Sequence, residues 1–315
     1  MGVKTPFTSD DFVAILARYD LGDYSHSETI QRGTVQTNYC LQTTRGKYVF
    51  RYFENRSRGS VLFESDLLTF LLERHYPCPT PVKNRQGSSI GMYDHKPYAI
   101  FKFLAGQPVE HPDIHHWRQL IQKAAELQKL TRSYRSPYTR YRWNYDPDLC
   151  HTLAQTEATQ INTQSAREKL AWLASELKNL KLPPTLPKGI CHCDFHFSNV
   201  LFQGDELVAL LDFDDANYTF LQFDLVGLME YWAWADTAEI LDLRKARYVV
   251  QEYMQHRTLS FIEQQHLYDV YKLSILFDSV WYFSRGDAGD FREKRKIDAL
   301  HSLGRQQFFD ELFSG

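Results

Sequence analysis

This sequence has no long uncharged run: its longest stretch without Asp, Glu, Lys or Arg is the twelve residues Gly33 to Thr44. A membrane-spanning helix needs roughly 20 predominantly apolar residues, so no membrane partner is expected. A surplus of one charge is lacking too. Lys and Arg number 36 against 39 Asp and Glu, a formal charge of −3. That balance excludes binding driven by bulk attraction to a polyanion, and no nucleic-acid partner is expected. Cysteine is scarce: Cys40, Cys78, Cys150, Cys191 and Cys193 are scattered and odd in number. The first residues, Met1-Gly2-Val3-Lys4-Thr5-Pro6, carry no apolar signal region, and Pro6 stands where a myristoylation motif has Ser or Thr. Reduced thiols in a cytoplasmic protein are therefore expected. What the chain has in quantity is apolar surface. Hydrophobic residues make up 43%, with 19 Tyr, 21 Phe and 6 Trp, enough for a sizeable core and too much for a disordered chain.

The first hundred residues read as β-rich with one helix. Ser27 to Gln31, Tyr39 to Thr43 and Tyr48 to Phe53 are candidate strands, the last two joined by a turn at Arg45-Gly46. Leu62, Leu67, Leu68, Leu71 and Leu72 mark one side of a helix over Val61 to Arg74, stopped by the prolines at 77, 79 and 81. Ser88 to Tyr93 and Pro97 to Phe103 read as another strand pair, and Leu104 to Pro112 as a connector. Helical spacing then takes over, at Trp117, Leu120, Ile121, Ala124 and Leu127 and again at Leu170, Leu173, Leu177 and Leu180. A β island follows: Gly189 to Cys193, Val200 to Gln203 and Leu207 to Phe213, with Gly204-Asp205 turning between the last two. From Asp224 onward the pattern is helical. The expected fold is α+β in two lobes: residues 1–103 a small β-rich lobe, residues 104–315 a larger, mainly helical one.

Charge divides along the same line. Residues 1–103 hold 13 basic and 10 acidic groups, net +3, and the rest 23 and 29, net −6. Asp194 to Glu230 carries eight acids and neither Lys nor Arg. Uncompensated carboxylates in a β-rich segment that looks buried call for a cation, and a divalent metal is the economical one. That segment also holds the chemistry. Cys191-His192-Cys193-Asp194-Phe195-His196-Phe197-Ser198-Asn199 is followed, after the predicted hairpin, by Leu211-Asp212-Phe213-Asp214-Asp215. His-x-Asp, Asn five residues after that Asp, and a second Asp beyond a hairpin is the order of a phosphotransferase loop. Phosphoryl transfer to a hydroxyl needs a carboxylate to orient the nucleophile and take its proton, which is the part for Asp194. Mg²⁺ needs hard oxygen ligands, which Asn199 and Asp212 offer.

On these residues the chain resembles the aminoglycoside phosphotransferase–choline kinase superfamily, whose fold is protein-kinase-like. There the loop typically reads His-Gly-Asp-x-His-x-x-Asn and then Ile-Asp-Phe or Ile-Asp-Trp. The resemblance implies ATP as co-substrate, Mg²⁺ as cofactor and a small-molecule hydroxyl as acceptor. It implies that Asp224, in Phe223-Asp224-Leu225, helps His192 hold the loop. It further implies that Arg32 to Tyr39, with Gly33, Thr37 and Asn38, covers the nucleotide phosphates. Arg51 stands where the family has the phosphate-contacting lysine, Glu64 where its ion-pair partner sits, and Phe103 and Leu104 at the adenine hinge. Gln128 replaces a histidine common among relatives, a minor packing change on this reading. Among subfamilies the bacterial homoserine kinase of this fold is the most similar, through Tyr19-Asp20-Leu21-Gly22, Thr34 to Asn38, and Asp212 to Asp224. Asp214-Asp215 is more acidic than that pattern and suits a cationic or polyhydroxyl acceptor equally; the alternative acceptors are an aminoglycoside, choline, methylthioribose or a protein Ser/Thr.

Blander readings stand beside these. His196, Asp214 and Tyr218 are substrate-side candidates, and each is also a plausible structural residue. Arg51 with Glu64 reads equally well as a plain ion pair. Cys191-His192-Cys193-x-x-His196 suggests zinc, but alternate strand residues point to opposite faces and no second cysteine pair exists. Tyr231, Trp232, Trp234, Trp281 and Tyr282 are expected mostly in the core, with one or two walling the acceptor pocket. A nucleotide-binding pseudokinase scaffold is the reading from another class, opposed by the intact Asp194, Asn199 and Asp212.

Overall fold

In the computed structural model, which describes residues 5–31, 35–234 and 241–314, the period-2 segments pair into a five-stranded antiparallel sheet of order β1-β2-β3-β5-β4. Its strands are β1 (Tyr24–Thr29), β2 (Thr37–Thr43), β3 (Gly46–Tyr52), β4 (Ile90–Tyr93) and β5 (Lys96–Lys102). The β2–β3 register sets Asn38 opposite Arg51, and the β3–β5 register sets Arg51 opposite Ala99. One face is covered by α1 (Ser9–Leu16), where Phe12, Ile15 and Leu16 join Leu41, Phe50, Tyr98 and Ile100 in a buried cluster. The helix begins at Thr8, whose hydroxyl accepts from the Asp11 amide while the Asp11 carboxylate accepts from the Thr8 amide. So the described part of the first hundred residues holds two helices, not one: α1, and α2 (Arg58–Leu72) with its leucine face buried.

These elements belong to the first of two units into which the chain separates, Met1–His111 with Arg135–Arg142 and Phe197–Asp214. The last segment is the hairpin β7 (Val200–Gln203) and β8 (Glu206–Leu210). It is tied into its unit by reciprocal backbone bonds between Phe202 and Gln107, 2.8 and 2.9 Å, and by the Leu210 amide on the Pro77 carbonyl at 2.9 Å.

The second unit, Pro112–Tyr134, Trp143–His196 and Asp215–Gly315, is mainly helical. Its helices are α3 (Ile114–Leu130), α4 (Pro147–Ile161), α5 (Gln164–Lys178), α6 (Phe223–Ala233), α7 (Leu243–His256), α8 (Phe261–Trp281) and α9 (Arg292–Phe313). A two-stranded sheet pairs β6 (Lys188–Cys191) with β9 (Asn217–Phe220). Helix α4 follows Asp146 as cap and Pro147 at its first position, and buries only Cys150, Ala154 and Ala158. Of the five aromatics expected mostly inside, only Trp234 is fully buried. Trp232 is half-buried, and Tyr231, Trp281 and Tyr282 are exposed. Helix-period spacing identified their elements but not the face, and this expectation is corrected. No helix among the described residues is long and apolar enough to cross a membrane.

Candidate active site

The candidate residues fall into two groups, one in each unit. In the first unit, Arg51 is at the centre. Its Nε donates to Asn38 Oδ1 at 3.1 Å and its Nη1 to Asp212 Oδ1 at 3.0 Å, and Glu64 Oε1 lies 3.8 Å from Nη1. Cross-strand register puts Asn38 beside the arginine, and the second turn of α2 brings Glu64. Glu64 is buried, and burial pushes its carboxyl up to about 7; Arg51 pulls it down while the Asp214 charge raises it. Asp212 adopts left-handed backbone, φ 61°, which costs an L-residue about 1–2 kcal/mol and needs surrounding contacts to hold it. One such contact is the Leu211 amide on the Asn199 carbonyl, 2.6 Å, which keeps the backbones of Asn199 and Asp212 adjacent. A carboxylate and an amide oxygen are a donor set that fits Mg²⁺, which takes few protein ligands and completes its shell with water and phosphate.

The other candidates of this unit are placed as follows. Thr37 is buried and donates to Glu54 at 2.6 Å. Phe103 and Leu104 follow the end of β5, Phe103 exposed with the Lys47 ammonium 5.8 Å from its ring. Gly33 lies outside the described residues. Asp214 is buried, with Oδ1 accepting from Arg56 Nε at 3.0 Å and Oδ2 from Gln36 Nε2 at 2.8 Å.

In the second unit, β6 leads into His192, Cys193 and Asp194. Asp224, in the first turn of α6, receives this loop in a buried cradle: its Oδ2 accepts from the His192 amide at 3.0 Å and its Oδ1 from the Cys193 amide at 2.9 Å. Burial raises the Asp224 carboxyl, and these same bonds oppose the rise. His192 is fully buried and its Nδ1 accepts from the Asp194 amide at 3.3 Å. Cys193 has φ 66°, a conformation that glycine enters without strain. Asp194 itself is exposed. His196 lies 3.9 Å, centroid to centroid, from the Tyr231 ring, and burial lowers its pKa while the Asp194 charge opposes. Tyr218 is half-buried on β9, opposite Ile190.

Two features of the second unit go beyond what the sequence indicates. Gln128 is a buried hub: Nε2 donates to the Leu221 carbonyl at 2.8 Å and approaches Asp224 Oδ2 at 3.4 Å, and Oε1 accepts from the Tyr253 hydroxyl. That is more than a minor packing contact. Asp278 on α8 is pushed up to about 7 by burial, with the charges of Glu293 and Asp194 adding to the rise. No periodicity signals either role.

Comparison with known proteins identifies the family and the fold. A model of the phosphotransferase enzyme family, APH, matches residues 26–259. The chain is 32% identical over 264 residues to a homoserine kinase of Rhodospirillum rubrum, covering 84% of this chain and 81% of that one. It is 31% identical over 266 residues to a homoserine kinase of Parvibaculum lavamentivorans, covering 82% and 80%. Among solved structures, a microcompartment-associated aminopropanol kinase superposes with TM-score 0.65 at 15% identity, over 96% of this chain and 95% of that one. A spectinomycin phosphotransferase in complex with ADP and spectinomycin gives 0.63 at 13% identity, over 98% and 99%. These two share the fold, a kinase-like α+β architecture.

Proposed function

This chain belongs to the phosphotransferase enzyme family, and we propose on that footing that it transfers the γ-phosphate of ATP to the hydroxyl of homoserine. It is a kinase acting on a hydroxyl; the acceptor, the metal and the residue roles are our reading. The observation that carries the reading is the Asp224 cradle under the His192-to-Asp194 loop, which fixes the backbone on which an exposed carboxylate is presented. In the transfer, the acceptor oxygen attacks the γ-phosphorus, Asp194 takes the hydroxyl proton, and the bond from the γ-phosphorus to the β–γ bridging oxygen breaks to release ADP. A positioned carboxylate base contributes about 10²–10⁴-fold. Asn199 and Asp212 would hold Mg²⁺, which when bound neutralises phosphate charge. Arg51 supplies positive charge to the phosphates, a role its guanidinium fills through several donors where lysine offers a point charge.

The choice of homoserine rests on relatives of that name along four fifths of both chains. It is tested by measuring ADP release with Mg·ATP and, in turn, homoserine, choline, methylthioribose and an aminoglycoside. Homoserine should turn over with the highest kcat/KM. A homoserine-inert enzyme that phosphorylates another of the four would overturn the acceptor and leave the kinase reading in place.

A further inference from the structure

Asp214 stands two residues after Asp212, and its surroundings set it apart from an acceptor-binding acid. Both carboxylate oxygens have donors: Arg56 Nε on Oδ1 at 3.0 Å and Gln36 Nε2 on Oδ2 at 2.8 Å. Gln36 cannot turn away, because its Oε1 accepts from the Glu54 amide at 2.8 Å and its Nε2 also donates to Asn55 Oδ1 at 3.0 Å. A third side chain grips the same stretch by its backbone. Arg142 Nη2 donates to the carbonyls of Phe213 at 3.1 Å and Asp214 at 2.5 Å, while Nη1 donates to Ser60 Oγ at 2.8 Å. Tyr141 brings that arginine in by packing its ring where a Cβ on Gly59 would come within 2.3 Å. The cluster is balanced, with Arg51, Arg56 and Arg142 against Glu64, Asp212 and Asp214.

We propose that Asp214 is a positioning residue for the metal and nucleotide end of the site, holding the loop that carries Asp212 and fixing Gln36 within the phosphate-side segment. Asp212 has left-handed backbone, so something must hold it there. The Leu211–Asn199 bond does so on one side and the Asp214 clamp on the other. The inference rests on the reading of Asp212 as a metal ligand. Its consequence is selective: losing the clamp weakens Mg·ATP and leaves the acceptor's affinity alone.

Steady-state kinetics of the full chain test it, with Mg·ATP and acceptor varied separately. Asp214→Asn keeps size and loses a charge-assisted bond, so the KM for Mg·ATP should rise about tenfold, with the acceptor KM unchanged. Gln36→Leu should give the same split, and the double variant should lose less than the sum of the two single losses, because both changes break the Gln36–Asp214 bond. An acceptor KM that rises while that for Mg·ATP stays put would make Asp214 an acceptor ligand and overturn the proposal. So would unchanged values for both substrates. If Asp214→Asn does not fold, Gln36→Leu carries the same test. Asp212→Ala serves as the control on the underlying reading: if it retains activity, the assignment of Asp212 fails; if it is dead while both clamp variants behave as wild type, only the positioning role fails.

Discussion

Replacing Arg51 with methionine removes one guanidinium from three partners, and the structure says how the damage should depend on pH. The Glu64 side chain is 4% exposed and that of Arg51 17%, so little water is available to replace the lost charge. With Arg51 present the Glu64 carboxyl already stands near 7 against an ordinary 4.5. At about 1.4 kcal/mol per unit, ionising it in place costs ~3 kcal/mol. A carboxyl raised in the folded state makes the native protein bind more protons than the unfolded chain, so stability falls as pH rises from 4.5 toward the folded pKa. In the wild type that fall ends near 7. Without the guanidinium the folded value climbs further, and stability continues to fall by about 1.4 kcal/mol per pH unit above 7. A pH-independent loss of about 1–3 kcal/mol adds to this from the broken bonds to Asn38 and Asp212. Urea unfolding of both proteins at pH 6, 7, 8 and 9 measures the difference, which should widen by roughly 2 kcal/mol or more between pH 7 and 9. The double variant Arg51→Met with Glu64→Gln should lose the widening. A gap that stays constant across this range would refute the argument that burial of Glu64 sets the cost.

Two further variants probe the Asp194 loop. Cys193→Gly removes a side chain from φ 66°, relieving about 1–2 kcal/mol of left-handed strain against a flexibility cost of about 0.5–1 kcal/mol. Its urea midpoint should correspond to a gain of up to about 1.5 kcal/mol, with phosphate transfer retained; a clear loss of stability would contradict the strain argument. Gln128→Leu leaves the Leu221 carbonyl and the Tyr253 hydroxyl without the partner they have here. Unfolding should show a loss of about 2–5 kcal/mol together with reduced transfer, and a variant as stable as wild type would mean that water replaces the amide at little cost.

Some of this architecture is readable in the chain and some is not. Val200 to Gln203 forms the strand its pattern indicates, turned at Gly204-Asp205, and the leucines of α2 mark its buried face. Local chemistry suffices there. Helix α1 carries a weaker signal, because Phe12, Ile15 and Leu16 follow a capping pattern with Asp11 in place of the more familiar Glu or Gln. Helix α4 gives little signal, since cysteine and alanines at its buried positions barely stand out from a polar surround. Strand β9 is only four residues long and is specified by its partner β6, some thirty residues earlier in the chain. The same distinction holds at the site. Arg51, Glu64 and Asp212 are named by motif and meet in one charged cluster. Gln36 and Arg56 meet Asp214 across 178 and 158 residues, and no local pattern encodes a pairing so remote. Arg142 donates to backbone carbonyls, which leave no trace in residue identity. Tyr231 shows the remaining gap: spacing puts it on a helix, but only packing decides that its ring is exposed against His196.

The claim that Asp194 takes the acceptor's proton has one direct measurement. Wild type and Asp194→Asn are incubated with Mg·ATP and homoserine, and phosphohomoserine is followed by phosphorus NMR while nucleotide binding is followed by calorimetry. The account predicts that the asparagine variant binds Mg·ATP as wild type does and transfers phosphate about 10²–10⁴-fold more slowly. Transfer at the wild-type rate by Asp194→Asn would contradict it.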